Sequence, residues 1–182
     1  MTSYAVFLRG VNVGGINMKM ADVRSVIAAL PVGDVQTLLA SGTVVCTFDG
    51  PAEALKGAVE AALREAFGYD AWVVVLSAER LGELLDACPY PPDSATEHTY
   101  VTVTSQPTVL DELVAAVAEI DPSSQETRLG PEASAWTAPV DGTLDAARSK
   151  VAAKARYRPA LTDRNLRTML KVRAALERLS QG

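Results

Sequence analysis

The first residues that invite chemistry are Leu8-Arg9-Gly10-Val11-Asn12-Val13-Gly14-Gly15, followed by Asn17 and Lys19. A glycine-rich turn after a strand and before a helix is where backbone amides are able to cradle phosphate. Neither strong phosphate template is met. The dinucleotide fingerprint needs G-x-G-x-x-G and the spacing here is G-x-x-x-G-G, while Ile16-Asn17 stand where a P-loop has lysine and a hydroxyl. A tight structural connection therefore competes with an anion cradle, since Gly and Asn are also the residues that left-handed backbone angles demand. Arg9, Asn12, Asn17 and Lys19 put more polar groups around the loop than a mere turn requires.

The inventory for acid–base or nucleophilic work is thin. His98 is the only histidine, so no multi-histidine metal site exists, and a strand-edge polar role competes with that of a base. Cys46 lies in an apolar strand-like run and reads as core, and Cys88 precedes a proline at a helix end. Two cysteines build neither a disulfide framework nor a four-cysteine metal site, and no motif for a metal or an organic cofactor is present. The acids form no spaced pair that reads as more than surface charge. Whether the chain is an enzyme is left open by this inventory.

Basic residues gather at the C-terminal end. Positions 148–182 hold 10 of the 17 Lys and Arg but only two acids, Asp163 and Glu177, which makes that segment +8 and leaves −13 on the rest. Such a segment either neutralises an acidic body internally or presents an anion-binding face. Arg164, Arg167, Lys171 and Arg178 fall opposite an apolar stripe of Leu166, Met169, Val172, Leu176 and Leu179, with Thr162 or Asp163 as the expected cap. The −13 remainder and the absence of aromatic residues among these cations predict no more than weak, salt-sensitive binding to nucleic acid.

Around these residues, 182 positions with 48% apolar and 21% charged residues fit one domain or two small lobes with an unstapled core. Tyr4–Leu8 reads as a buried strand, Met20–Leu30 as a helix, Val35–Leu39 and Val44–Phe48 as strands joined through Ser41-Gly42. Pro51 stands where a first helical residue belongs, Leu55–Phe67 carries one apolar stripe, and Trp72–Leu76 is a further strand. That order is β-α-β-β-α-β, the arrangement of ferredoxin-like domains. An RNA-recognition version needs aromatics where Thr43 and Val45 stand, so sequence-specific RNA binding is not expected. Ser77 caps a short helix ending at Pro89-Tyr90-Pro91-Pro92. Beyond it come a strand at Thr99–Thr104, a helix opened by Thr108-x-x-Asp111, and a weaker strand pair over Glu126–Leu129 and Ser134–Ala138. The expected class is α+β: a ferredoxin-like lobe over 1–88, then a second α+β lobe over 89–182 with basic C-terminal helices. Two small sheets are expected, with one continuous sheet as the alternative.

Taken together, Leu8 to Gly15, then Asn17, Met20-Ala21-Asp22, Ser41-Gly42 with Val44-Val45, Ser149-Lys150, and Arg164-Asn165 with Thr168 and Lys171 resemble the bacterial domain-of-unknown-function family 1697. The resemblance runs over nearly the whole chain and implies a small soluble bacterial protein with a ferredoxin-like N-terminal part and no established activity. The polar positions it carries over are Arg9, Asn12, Asn17, Ser41, Lys150, Asn165 and Lys171. Thr43, Cys46, Leu166 and Arg167 depart from the family pattern. The function expected from all this is a binding module for a small anionic ligand, held by Arg9, Asn12, Gly14, Gly15, Asn17, Ser41, Lys150, Asn165 and Lys171. An enzyme acting on a phosphorylated or nucleotide-like substrate and an association module are the alternatives. No basic and apolar leader or membrane span is visible, so the cytoplasm is the expected location.

Overall fold

Tyr4, Val6 and Leu8 point to one face of a strand and Ala5 and Phe7 to the other, and all five are buried. A strand covered on both faces belongs at the centre of a sheet, which is where the computed structural model puts it. The structure describes residues 1–182 apart from 10–17, 39–41, 69, 125, 144–145, 158 and 182. The first sheet, β2-β3-β1-β4, is antiparallel and made of β1 (Thr2–Arg9), β2 (Val32–Leu38), β3 (Thr43–Phe48) and β4 (Trp72–Ser77). Helices α1 (Met20–Ala28) and α2 (Ala52–Phe67) cross between strands and bury Val23, Ile27, Leu55, Val59 and Leu63 against Val6, Leu8, Val44 and Cys46. Burial also pushes the Cys46 thiol up to about 11, which leaves it a packing residue rather than a nucleophile. Helix α3 (Ala78–Asp86) follows β4, and the Arg80 amide donates to the Ser77 hydroxyl at 3.2 Å as the cap predicts.

The same order then runs a second time. β5 (Glu97–Thr104), α4 (Pro107–Ile120), β6 (Glu126–Gly130), β7 (Ala133–Pro139), α5 (Ala147–Ala152), β8 (Leu161–Asn165) and α6 (Leu166–Leu179) give a separate antiparallel sheet ordered β6-β7-β5-β8. Strand for strand this is the first sheet's order, so each sheet has the ferredoxin-like topology and the single continuous sheet is excluded. By contact the chain divides into unit 1, Met1–Gly82 with Lys171–Gly182, and unit 2, Glu83–Leu170. The core of unit 2 joins Leu110, Leu113 and Val117 of α4 to Val151, Tyr157, Ala160 and Leu161.

Several local expectations give way. Thr162 and Asp163 do not cap α6 but lie in β8, because Leu161 to Asn165 pairs with Thr104 to Tyr100, and the strand ladder takes the backbone groups a cap would leave loose. The cap is Asn165, whose Oδ1 accepts the Arg167 amide at 2.8 Å. Arg164 consequently sits in the strand, not on the basic face, and its Nη1 donates to the Thr162 hydroxyl at 2.7 Å. Thr108 does not open α4 either. Pro107 occupies the first turn, where its missing N–H costs nothing, and the Thr104 hydroxyl takes the Gln106 amide at 2.8 Å. Pro51 is the residue before α2 rather than its first member, with an extended ψ of 156°.

Candidate functional site

Of the nine residues named from the sequence, Asn12, Gly14, Gly15, Asn17 and Ser41 lie outside the described residues. Arg9 is half-buried at the end of β1, opposite Trp72 of β4. The residues that flank the two glycine-bearing segments meet: the Leu8 amide donates to the Gly42 carbonyl at 2.7 Å, and Phe7 pairs with Thr43. Gly42 has φ 74°, the left-handed angle that glycine adopts without strain. Arg9 and Gly42 thus stand at one end of the first sheet. Lys171, in unit 1, is exposed on α6; Lys150, in unit 2, is exposed on α5.

Asn165 leads to a cluster that the sequence did not disclose. Asp93, between Pro92 and Ser94, forms an isolated backbone bridge with His98, and its Oδ1 lies 2.7 Å from His98 Nδ1. Asn165 Nδ2 approaches the same Oδ1 at 3.5 Å. Arg167 Nε lies 2.5 Å from Oδ2 without pointing its hydrogen at it, so that contact is one of charge and Oδ2 receives no hydrogen bond among the described residues. Burial raises the Asp93 pKa, but the bonds to His98 and Asn165 and the charges of Arg167 and His98 outweigh it and hold the carboxyl below its ordinary value. An ionised carboxylate only accepts, so Nδ1 carries a proton and donates it to Asp93. Nε2 makes no hydrogen bond among the described residues, and the His98 side chain is 26% exposed.

The depressed Asp93 pKa carries a sign. A carboxyl that ionises more readily in the folded chain contributes stability above its unfolded pKa and loses it as pH falls through the folded one, hence below about pH 4. Asp93→Asn is expected to flatten that part of the stability curve. Urea midpoints at pH 7 and pH 3 check it: the gap between parent and variant shrinks towards pH 3, and a constant gap contradicts the linkage.

A second assembly holds α5 to all four strands of the unit 2 sheet. Arg148, 2% exposed, donates from Nε to Glu126 Oε2 at 3.1 Å and from Nη2 to the Thr102 hydroxyl at 2.5 Å, with Asp163 Oδ1 at 3.4 Å. Its guanidinium carbon lies 4.9 Å from the centroid of the Trp136 ring, whose Nε1 donates to Thr102 at 3.1 Å. Thr102 in turn donates to Asp163 at 2.5 Å, and Ser134 donates to Glu126 at 2.6 Å. Nη1 has no hydrogen-bond partner among the described residues. Arg148 counts among the basic residues of the C-terminal segment, yet two carboxylates and a buried setting make it a fastener. A cavity of about 530 Å³ beside it is lined by Glu97, Asp121, Ser123, Thr137 and Arg148, and one of about 740 Å³ in unit 1 by Ser3, Asp34, Thr47, Ser77 and Ser180. Neither is lined by Arg9, Lys150, Asn165 or Lys171, the four of the nine that are described. No group of three or more metal-ligating side chains occurs among the described residues, and no helix among them is long and apolar enough to cross a membrane.

A family model described as a protein of unknown function (DUF1697) matches residues 1–133. The structure is similar to that of a conserved bacterial protein from Streptococcus pneumoniae, with 22% identity, 97% of this chain and 99% of that chain covered, and a TM-score of 0.81. A protein of unknown function from Galdieria sulphuraria aligns over 90% of this chain and 96% of its own at 14% identity, but its TM-score of 0.26 carries no argument. None of the curated proteins matches. At these identities the first likeness establishes the fold alone.

Proposed function

Because the chain belongs to the DUF1697 family of proteins of unknown function, we propose its role from its own residues: a binding module for a small anionic ligand. The observation that carries this reading is the Leu8–Gly42 hydrogen bond at 2.7 Å. It brings the Arg9 end of β1 to Gly42, so that the residues that adjoin Gly10 and Ser41 in sequence stand together at one end of one sheet. Glycines expose amide donors and arginine supplies charge and a planar fork, and an oxyanion uses both. In this reading Asn12, Gly14, Gly15, Asn17 and Ser41 supply neutral donors. Lys171, in unit 1, is an additional proposed contact, while Lys150 and Asn165 are proposed as anion contacts within unit 2.

The test is a thermal-shift screen with inorganic phosphate, nucleotides and small carboxylates. A ligand at 100 times its Kd is expected to add about 2.7 kcal/mol of stability by linkage, and in an Arg167→Ala background Arg9→Ala is expected to remove the shift. A screen in which no anion raises Tm, or in which the hits ignore Arg9→Ala, counts against the module.

An enzyme acting on a phosphorylated or nucleotide-like substrate is the second reading, favoured by the carboxylate-held imidazole of Asp93 and His98, the base half of many hydrolytic sites. Turnover of a bound anion that His98→Asn abolishes supports it.

A further inference from the structure

Unit 2 sets an imidazole and a guanidinium on one carboxylate. Asp93 presents Oδ1 to the His98 imidazole at 2.7 Å and Oδ2 to the Arg167 guanidinium at 2.5 Å, so the two groups are held on neighbouring oxygens. The carboxylate is itself fixed, by the backbone bridge between Asp93 and His98 and by the Thr99 hydroxyl donating to the Pro91 carbonyl at 2.6 Å. Arg167 meets Asp93 through Nε alone; its side chain is 63% exposed, and neither Nη nitrogen has a hydrogen bond among the described residues. A structural ion pair needs no such arrangement. Two Nη donors and an imidazole Nε2, none of them hydrogen-bonded among the described residues and both side chains held by one carboxylate, are the groups a fork for an oxyanion needs.

Charge decides how that fork is filled. With His98 neutral, Asp93 and Arg167 cancel and the cluster offers an anion little. A proton on Nε2 makes the cluster +1 and turns Nε2 from acceptor into donor. The groups that face the imidazole are Asp93, Arg167 and the Tyr100 ring, edge-on at 6.4 Å, with neutral Asn165 beside the carboxylate. Apart from Asp93, none of these opposes an incoming anion with negative charge at neutral pH, and Asp93 holds the new imidazolium. Asn165 adds its cap at the start of α6, where backbone amides favour negative charge.

We propose that Asp93, His98, Asn165 and Arg167 form an oxyanion-binding site in unit 2 whose filling by a sulfate- or phosphate-type dianion is coupled to the uptake of one proton by His98. This site is separate from the one proposed around Arg9. By linkage, an anion that prefers the protonated imidazole must lose affinity as pH rises, towards one decade per pH unit for one proton, and must in turn make that imidazole harder to deprotonate.

Sulfate is the probe, because it does not titrate in the range where imidazoles do. Since His98 is the only histidine, the untagged chain gives a single imidazole signal, and its NMR titration is read with and without saturating sodium sulfate at fixed ionic strength. The expected result is a midpoint shifted upward by sulfate, with calorimetric affinity falling from pH 5.5 to 8. His98→Asn, whose amide still donates to Asp93, is expected to abolish the pH dependence. Arg167→Ala is expected to weaken sulfate roughly ten- to hundredfold. An unmoved imidazole midpoint in the unaltered chain overturns the proposal without reliance on any variant. So does sulfate binding that is flat in pH or indifferent to Arg167→Ala. Either failure leaves the Arg9 reading standing, whereas Arg9→Ala is expected to leave sulfate binding here unchanged.

Discussion

Replacing Arg148 with methionine is expected to destabilise the protein by about 3–5 kcal/mol, the cost of leaving buried charge without its partner. Glu126, 4% exposed, loses the Nε donor at 3.1 Å, Thr102 loses one of its two donors, and Asp163 loses its cation. At about 2–4 °C per kcal/mol for a chain of this size, the Tm is expected to fall by roughly 6–20 °C. Methionine matches the volume, so the loss reports charge and hydrogen bonding more than a void. Arg148→Lys is expected to restore only part of it, because an ammonium does not reach Glu126, Thr102 and Asp163 as a rigid fork does. Trp136, whose ring faces the guanidinium, makes its fluorescence a local reporter of the change. A methionine variant within 1 kcal/mol of the parent in urea would show that the assembly is not what holds α5 to its sheet.

Leu176→Ala is expected to cost about 2–5 kcal/mol, as truncations of fully buried leucines do. Leu176 is 1% exposed and lies on the part of α6 that belongs to unit 1, as does Val172 at 0%. The two tryptophans separate the readouts, since Trp72 is in unit 1 and Trp136 in unit 2. In a Trp136→Phe background the transition reported by Trp72 is expected to move to lower urea, while Arg178→Ala, on the exposed side of the same helix, moves it by no more than about 0.5 kcal/mol. An unmoved Trp72 transition contradicts the assignment of this segment to unit 1.

What the sequence disclosed follows from periodicity. The doubly buried run Tyr4 to Leu8 and the apolar stripe of α2 declare themselves because burial dictates residue type at every second or every third to fourth position. β8 did not declare itself: Leu161-Thr162-Asp163-Arg164-Asn165 is polar at four of its five positions, and its pairing with β5 is a long-range fact that no local pattern carries. Missing that strand misplaced the cap by two or three positions and put Arg164 on the wrong element. Arg148 was hidden for a related reason. A lone arginine in an alanine-rich helix reads as solvated until Glu126 and Asp163, 22 and 15 residues away, are brought to it. Likewise His98 read as a lone polar residue because its partner, Asp93, sits in a proline-rich turn with no motif, and Arg167 stood out as one of the basic face and as a departure from the family pattern, with no link to either.

The division of the chain has a consequence for its synthesis. Unit 1 is discontinuous: Met1–Gly82 is made first, but Lys171–Gly182 is made only after the whole of Glu83–Leu170. Throughout translation of unit 2 the earlier sheet lacks the segment that supplies Val172 and Leu176, so unit 2 is free to complete while unit 1 waits. Closing unit 1 then joins residues separated by the full length of the intervening unit, and contacts of such separation form slowly. The half of the protein that leaves the ribosome first is therefore the half that is finished last, and its unfinished form is the species a chaperone would meet.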